Sequence, residues 1–166
     1  LEMGYSPNDL VNDEQITIDL PGSSPWTPKN YSNAFSGEVS LTKAFSESLN
    51  IPAIKISEAI GRKNVAELGN KFGLFSDPNN GPAIALGTSE STLLDLVGAY
   101  ATILNQGTKI VPFGWEKLQL KKNKNEILMA RSDRPTMKII TSETAENLIF
   151  MMSEVTKNGT GKRAKF

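Results

Sequence analysis

A chain of 166 residues, 39% of them hydrophobic, is long enough for one domain or a large piece of one. Its 18 basic and 18 acidic residues cancel, so no global field favours nucleic acid or an anionic membrane, and neither is expected as a partner. With no cysteine and no histidine, disulfides, thiol nucleophiles, Ser-His-Asp triads and imidazole metal sites are excluded, and an activated serine would need another base, usually lysine.

Leu1-Glu2-Met3-Gly4 reads as a helix tail ending at a glycine, which implies a chain that begins within a domain. No signal peptide opens it, and no apolar run approaches a membrane span. Residues 5–37 are rich in Pro, Asn, Asp, Ser and Gly and read as irregular surface. One short strand is expected there, from Gln15 to Leu20, where apolar and polar residues alternate. Pro21-Gly22 ends it as a turn.

From Ser40 the pattern turns helical. Leu41, Ala44, Phe45 and Ser48 fall on one face, with Ser40 as N-cap. Asn50-Ile51-Pro52 is expected to stop that helix, and Pro52 suits the first turn of the next, running to about Ile60. Gly61, Arg62 and Lys63 read as its C-terminal end. Asn64 and Glu67 resemble a capping box that opens a third helix, with Val65, Leu68 and Phe72 on one face and Gly73 at its close. Residues 76–87 form a loop. Ser91-Thr92 starts a helix that is apolar almost all round (Leu93 to Leu104) and is therefore expected to be buried. Trp115–Leu120 and Glu126–Met129 read as two strands around a turn, and the basic run Lys117, Lys121, Lys122, Lys124 as its solvated tip. Thr141 opens the last helix, with Ala145, Leu148, Ile149, Met152 and Val155 on one stripe, and Asn158-Gly159 ends it.

Several short patterns suggest chemistry, and most have plainer explanations. Ser40-Leu41-Thr42-Lys43 has the Ser-x-x-Lys form of acyl-serine enzymes. Such matches are common in a chain this rich in Ser and Lys, and Ser40 reads better as a helix cap with Lys43 in solvent. Gly159-Thr160-Gly161-Lys162 is not a phosphate loop, because the glycines follow a helix and Arg163 replaces the Ser/Thr. Glu90 reads as a carboxylate near a helix start. Trp26 and Trp115 read as buried packing anchors. Ser48-Leu49-Asn50, a hydroxyl and an amide two residues apart at a helix end, means little alone.

Its surroundings give it weight. Trp26-x-Pro28-x-Asn30-Tyr31, Gly37, Leu41, Ala44, Ser48-x-Asn50-Ile51-Pro52-Ala53, Phe72-Gly73, Leu86-Gly87-x-x-Glu90, Leu94, Ala99-Tyr100-Ala101, Asn105-x-Gly107 and Gly159-Thr160-Gly161-Lys162 follow in order. Over essentially the whole chain, this order and spacing resemble the transpeptidase domain of class A (bifunctional) penicillin-binding proteins.

The resemblance implies an α+β chain of the penicillin-binding protein and serine β-lactamase-like fold, mostly helical with a small β component around one core. It implies that residues 1–166 are a partial transpeptidase domain, truncated at both ends. A Ser-x-x-Lys motif would precede Leu1, and a Lys-Thr-Gly motif would follow Phe166. The longer enzyme would be a serine-type D,D-transpeptidase that cross-links peptidoglycan stem peptides and is trapped by β-lactams. It would be periplasmic and anchored to the inner membrane. Ser48 would hydrogen-bond between the motif lysines and relay a proton to the leaving group. Asn50 would hold the donor stem by its side-chain amide. Neither is a nucleophile, no cofactor or metal is expected, and this chain alone is expected to be inactive. Two other readings stand beside it: a non-catalytic helical module binding partners in the cell-wall machinery, and a β-lactamase or β-lactam-sensor relative. Loss of covering elements is expected to leave the last helix bare and to drive self-association.

Overall fold

The computed structural model describes residues 1–74, 81–120, 127–130 and 136–164. Near the start, Leu10–Asp13 (β1) and Gly37–Ser40 (β2) form an antiparallel pair, with Leu10 opposite Ser40 and Asp13 opposite Gly37. The pleat turns Val11 and Asp13 of β1 inward, and Val39 joins them from β2.

The strand expected from Gln15 to Leu20 does not form; only Ile18 pairs, in an isolated bridge with Trp26. The turn itself is there. Ser23 N–H donates to the Leu20 carbonyl at 3.0 Å, with Gly22 at φ 78° behind Pro21, as a type II turn requires. The return limb explains the failure. Continuing the register sets Pro28 opposite Ile16, and Pro28 has no N–H to donate.

The helices follow their punctuation closely. Leu41–Ser46 (α1), Asn50–Ile60 (α2) and Arg62–Phe72 (α3) succeed one another with one to three residues between them. Ser40 caps α1, accepting the Lys43 N–H at 3.2 Å, which settles its role as a cap. Gly61 at φ 87° separates α2 from α3, and Gly73 at φ 82° closes α3 in the left-handed region. The capping box does not form. The helix α3 already starts at Arg62, and Asn64 Nδ2 instead donates to the Ile60 carbonyl at 2.6 Å. In the expected loop, Pro82–Leu86 forms a 3-10 turn; residues 75–80 lie outside the described part.

Leu93–Leu104 (α4) is capped by Thr92, which accepts the Asp95 N–H. Lys117–Gln119 (β3) and Ile127–Ala130 (β4) pair antiparallel, with an irregularity between Leu118 and Gln119. The expected basic tip at Lys121, Lys122 and Lys124 is outside the described residues, as is Phe166. Ser142–Lys157 (α5) is capped by Thr141 and ends at Asn158, and a 3-10 turn at Lys162–Ala164 follows.

Burial is divided rather than single. Val11, Val39 and Ala44 form one cluster, with Leu41, Leu49 and Ile56 against it. Ile139, Ile140 and Ala145 form a second, with Leu68 and Phe72. Ile51 and Ile54 of α2 are fully enclosed.

The expectation that α4 is buried is wrong. It packs inward only through Gly98, Ala99 and Thr102. The Thr102 hydroxyl donates to the Gly98 carbonyl and accepts the Ile110 N–H, which fastens the following segment to this small-residue face. The outer stripe Leu93, Val97, Tyr100 and Leu104 is open, with Leu93 78% and Leu104 67% exposed. Trp115, expected as a buried anchor, is also exposed, together with Phe113 and with Leu118, Ile127, Leu128 and Met129 of the β3–β4 pair. The last helix is better covered than expected: Leu148, Ile149, Met152 and Val155 are half-buried. The total accessible surface is 11237 Å². A compact monomer of 18.1 kDa would show only ~8,100 Å², and the exposed large hydrophobics of α4 and of the β3–β4 pair contribute to the difference.

Candidate functional site

The candidate residues sit in the tight connection between α1 and α2. Helix α1 ends in a Schellman closure: Ser48 N–H donates to the Phe45 carbonyl at 3.1 Å, and Leu49 N–H to the Ala44 carbonyl at 2.9 Å. That closure needs a left-handed residue after the cap, and Ser48 takes it at φ 55°. Glycine is the usual occupant, and a residue with a Cβ bears about 1–2 kcal/mol of strain there. The helix therefore stops earlier than the spacing predicts, at Ser46, and Ser48 lies beyond it. The reversal lifts Ser48 out of the fold. It is exposed, and among the described residues its hydroxyl has no protein hydrogen-bond partner.

Asn50 is the first residue of α2, not the last of α1. Its side-chain Nδ2 donates to the Lys29 carbonyl at 2.8 Å, which fixes the amide plane. Leu49 precedes it at the N-cap position and has no polar side chain to cap with. The cap comes from far away in sequence. Asn30 Oδ1 accepts the N–H groups of Asn50 and Ile51, at 2.9 and 3.3 Å. Asn30 Nδ2 in turn donates to both carboxylate oxygens of Asp13, at 2.8 and 2.9 Å, and to the Ala34 carbonyl. The Ser36 N–H completes the Asp13 shell at 2.8 Å.

The other side of the connection is clamped by the segment after α5. Thr160 N–H donates to the Ser46 carbonyl at 3.0 Å. Gly159 lies so close that an added Cβ would fall 2.1 Å from that carbonyl oxygen, a contact only glycine permits. At the opposite end of α5, Glu2 Oε1 accepts both the amide (2.8 Å) and the hydroxyl (3.0 Å) of Thr141. Burial pushes the Glu2 carboxyl up, but the hydrogen bonds from Thr144 and Thr141 outweigh it and hold it below the usual carboxylate value.

Ser48 and Asn50 lie at the rim of one groove of about 510 Å³. Its walls are largely apolar: Leu41, Phe45, Pro52 and Ile56 from α1 and α2, with Leu148 and Val155 from α5. Residues 1–165 match the family described as the penicillin binding protein transpeptidase domain. The chain belongs to that family.

Its relatives are class A penicillin-binding proteins. Penicillin-binding protein 1A of Rickettsia conorii is 32% identical over 95% of this chain. Penicillin-binding protein 1B of Haemophilus influenzae is 28% identical over 93%. The chain spans 20% of the length of each. Among solved structures, penicillin-binding protein 1A of Haemophilus influenzae superposes with a TM-score of 0.88 at 25% identity, over 98% of this chain and 30% of that one. The fold is thus the penicillin-binding protein transpeptidase fold, and the α+β expectation holds.

Ser48 and Asn50 are brought to one rim, whereas Ser40 caps α1 by accepting the Lys43 N–H. Glu90 is exposed, two residues before the Thr92 cap. Sequence reasoning noted Asn30 only as part of the resemblance, read Gly159 as a helix end without its contact to Ser46, and missed Asp13. A buried acidic residue at a strand end leaves no signal of its own, because nothing in the sequence tells which strand face points inward.

Proposed function

We propose that this chain is the central part of a serine-type peptidoglycan D,D-transpeptidase domain, truncated at both ends relative to the whole domain. Ser48 and Asn50 are its second catalytic corner. One observation carries this: a strained, exposed serine hydroxyl without a protein partner stands beside a fixed asparagine amide, both at the rim of an apolar groove. Strain of this kind persists where the surroundings enforce it and is concentrated at functional positions.

In the longer protein, a Ser-x-x-Lys helix laid in the groove brings its serine and lysine to Ser48. The serine attacks the penultimate D-alanine carbonyl of a pentapeptide stem. Ser48 hands a proton to the departing D-alanine, and Asn50 holds the stem backbone through its side-chain amide. An amine of a second stem resolves the acyl-enzyme, and a β-lactam occupies the same place and stays. That protein is extracytoplasmic and membrane-anchored. No helix among the described residues is long and apolar enough to cross a membrane, so the anchor belongs to another part of it. This chain alone holds one corner of three and does not acylate.

Labelling with a fluorescent penicillin tests the reading. The longer protein is expected to be acylated, with Ser48→Ala slowing this by about 10²–10⁴, the usual loss for a proton-transfer group, and Asn50→Ala, which removes a binding contact, slowing it less. The 166-residue chain is expected to stay unlabelled. Stoichiometric labelling of this chain that disappears in Ser40→Ala would overturn the assignment of Ser40 as a cap and of Ser48 as the functional serine.

A further inference from the structure

We propose that Asp13 and Asn30 are positioning residues for the Ser48–Asn50 corner, acting through the first turn of α2. The inference rests on the transpeptidase reading above and names what holds its site in place.

Four observations lead to it. First, Asp13 is fully buried and Asn30 is 4% exposed, yet neither serves the apolar cluster formed by Val11, Val39 and Ala44. Second, Asp13 has no cationic partner among the described residues; its oxygens take three N–H contacts, from Asn30 Nδ2 (twice) and from the Ser36 amide. A buried carboxylate held only by neutral donors is a costly element, and packing alone does not require it. Third, the orientation of Asn30 is dictated by Asp13. The carboxylate accepts only, so it must face Nδ2, and Oδ1 is thereby aimed at α2. Fourth, among the described residues Oδ1 meets the amides of Asn50 and Ile51 alone. Because Leu49 cannot cap, this is the side-chain cap that the helix bearing Asn50 possesses.

The chain of contacts is therefore directional. Asp13 at the end of β1 selects the rotamer of Asn30. Asn30 sets the start of α2 and so the place of Asn50, whose side-chain amide the neighbouring Lys29 carbonyl then holds in plane. The pair comes from segments 17 residues apart in sequence, and a further 20 separate Asn30 from Asn50. It joins β1, the irregular segment and α2 into one rigid seat. Neither residue reaches the groove, so neither is catalytic.

The test uses the longer protein that carries this segment. Acylation by a fluorescent penicillin is followed in time. The rate constant reports the geometry of acylatable molecules, and the final amplitude reports how many there are. Asn30→Ala removes the cap, and Asp13→Asn puts an amide donor against another N–H. Each is expected to slow acylation tenfold or more at retained amplitude. The exchange Asp13→Asn with Asn30→Asp returns an acceptor to the α2 amides and lets the amide of residue 13 donate to it, at the loss of the bond from residue 30 to the Ala34 carbonyl. It is expected to recover acylation to within tenfold of the unsubstituted protein. Unchanged rate constants in the single variants, with loss only of amplitude or melting temperature, would overturn the proposal. If a single variant yields no foldable protein, the exchange decides, and a rate in the exchanged protein tenfold below the unsubstituted one overturns it equally. Failure of the unsubstituted protein to label at all would strike the transpeptidase reading, and this inference with it.

Discussion

The connection between α1 and α2 and the outer face of α4 are opposite kinds of surface in one chain. The first is short, polar and fixed from several sides: by its own Schellman closure, by Asn30 and Lys29, and by Thr160. The second is long, apolar and bare, with Leu93, Val97, Tyr100 and Leu104 exposed in a row. The contrast teaches where each feature gets its definition. The corner is specified by hydrogen bonds contained within these residues. The face of α4 is specified by something it covers or is covered by, and its inner contacts are made by its smallest residues, Gly98, Ala99 and Thr102.

The largest expected effect comes from the bare side. At about 25 cal/mol per Å², a few hundred Å² of open apolar surface is worth several kcal/mol, comparable to the net stability of a domain. The 166-residue chain is expected to self-associate through α4, not through α5. Light scattering over a concentration series is expected to show oligomers that dissociate when Leu93, Val97 and Tyr100 are all replaced by Gln. The same substitution at Phe150 of α5 is expected to change little. A monomer at every concentration would show that the open face needs no cover.

A smaller effect, on the other side of the comparison, is expected at Gly159. A Cβ there collides with the Ser46 backbone rather than with a movable side chain. Gly159→Ala is expected to destabilise by about 1–3 kcal/mol, the cost of overpacking, and urea unfolding measures it. Gly114, where a Cβ meets nothing within 4 Å, is the matched control and is expected to be neutral. Equal effects at the two sites would mean that the clamp on Ser46 is not tight.

The smallest concerns Glu2. Its carboxyl is held below its ordinary value in the fold. The folded state thus binds its proton less readily than the unfolded chain. The contribution is complete above the unfolded value, at neutral pH, and is lost as pH falls through the lower folded value. Glu2 is mostly exposed, so the size is well under 1 kcal/mol. Glu2→Gln is expected to flatten the acid limb of the stability curve slightly and to leave stability above pH 7 otherwise parallel. A steeper acid limb in the variant would contradict the sign.

Much of the helical frame was legible because single residues dictate it. Pro52, Gly61, Gly73, Thr92, Thr141 and Asn158 mark the ends where the chain places them. The errors share a cause: each needed a partner that local pattern cannot supply. Gln15 to Leu20 alternates well but faces Pro28, so one bridge forms where a strand was expected. The four-residue strands β1 and β2 carry little pattern and exist because they pair with each other. Apolar content predicts that α4 will be covered, and only the fold shows that the described residues leave its outer face open. At the proposed site, Ser48 and Asn50 were singled out through their neighbours in the resemblance. The left-handed turn at Ser48 was not, since serine gives no hint of it.

That turn offers the most direct test of the account. If Ser48 is kept at a glycine position for its hydroxyl, then Ser48→Gly relieves strain and removes chemistry together. Relief is worth about 1–2 kcal/mol, less the ~0.5–1 kcal/mol lost to the freer unfolded chain. The longer protein bearing Ser48→Gly is therefore expected to be as stable as the unsubstituted one or slightly more so. Its acylation by a fluorescent penicillin should fall at least a hundredfold. Acylation at the unsubstituted rate in an equally stable Ser48→Gly protein would show that the turn, not the hydroxyl, is what this corner requires.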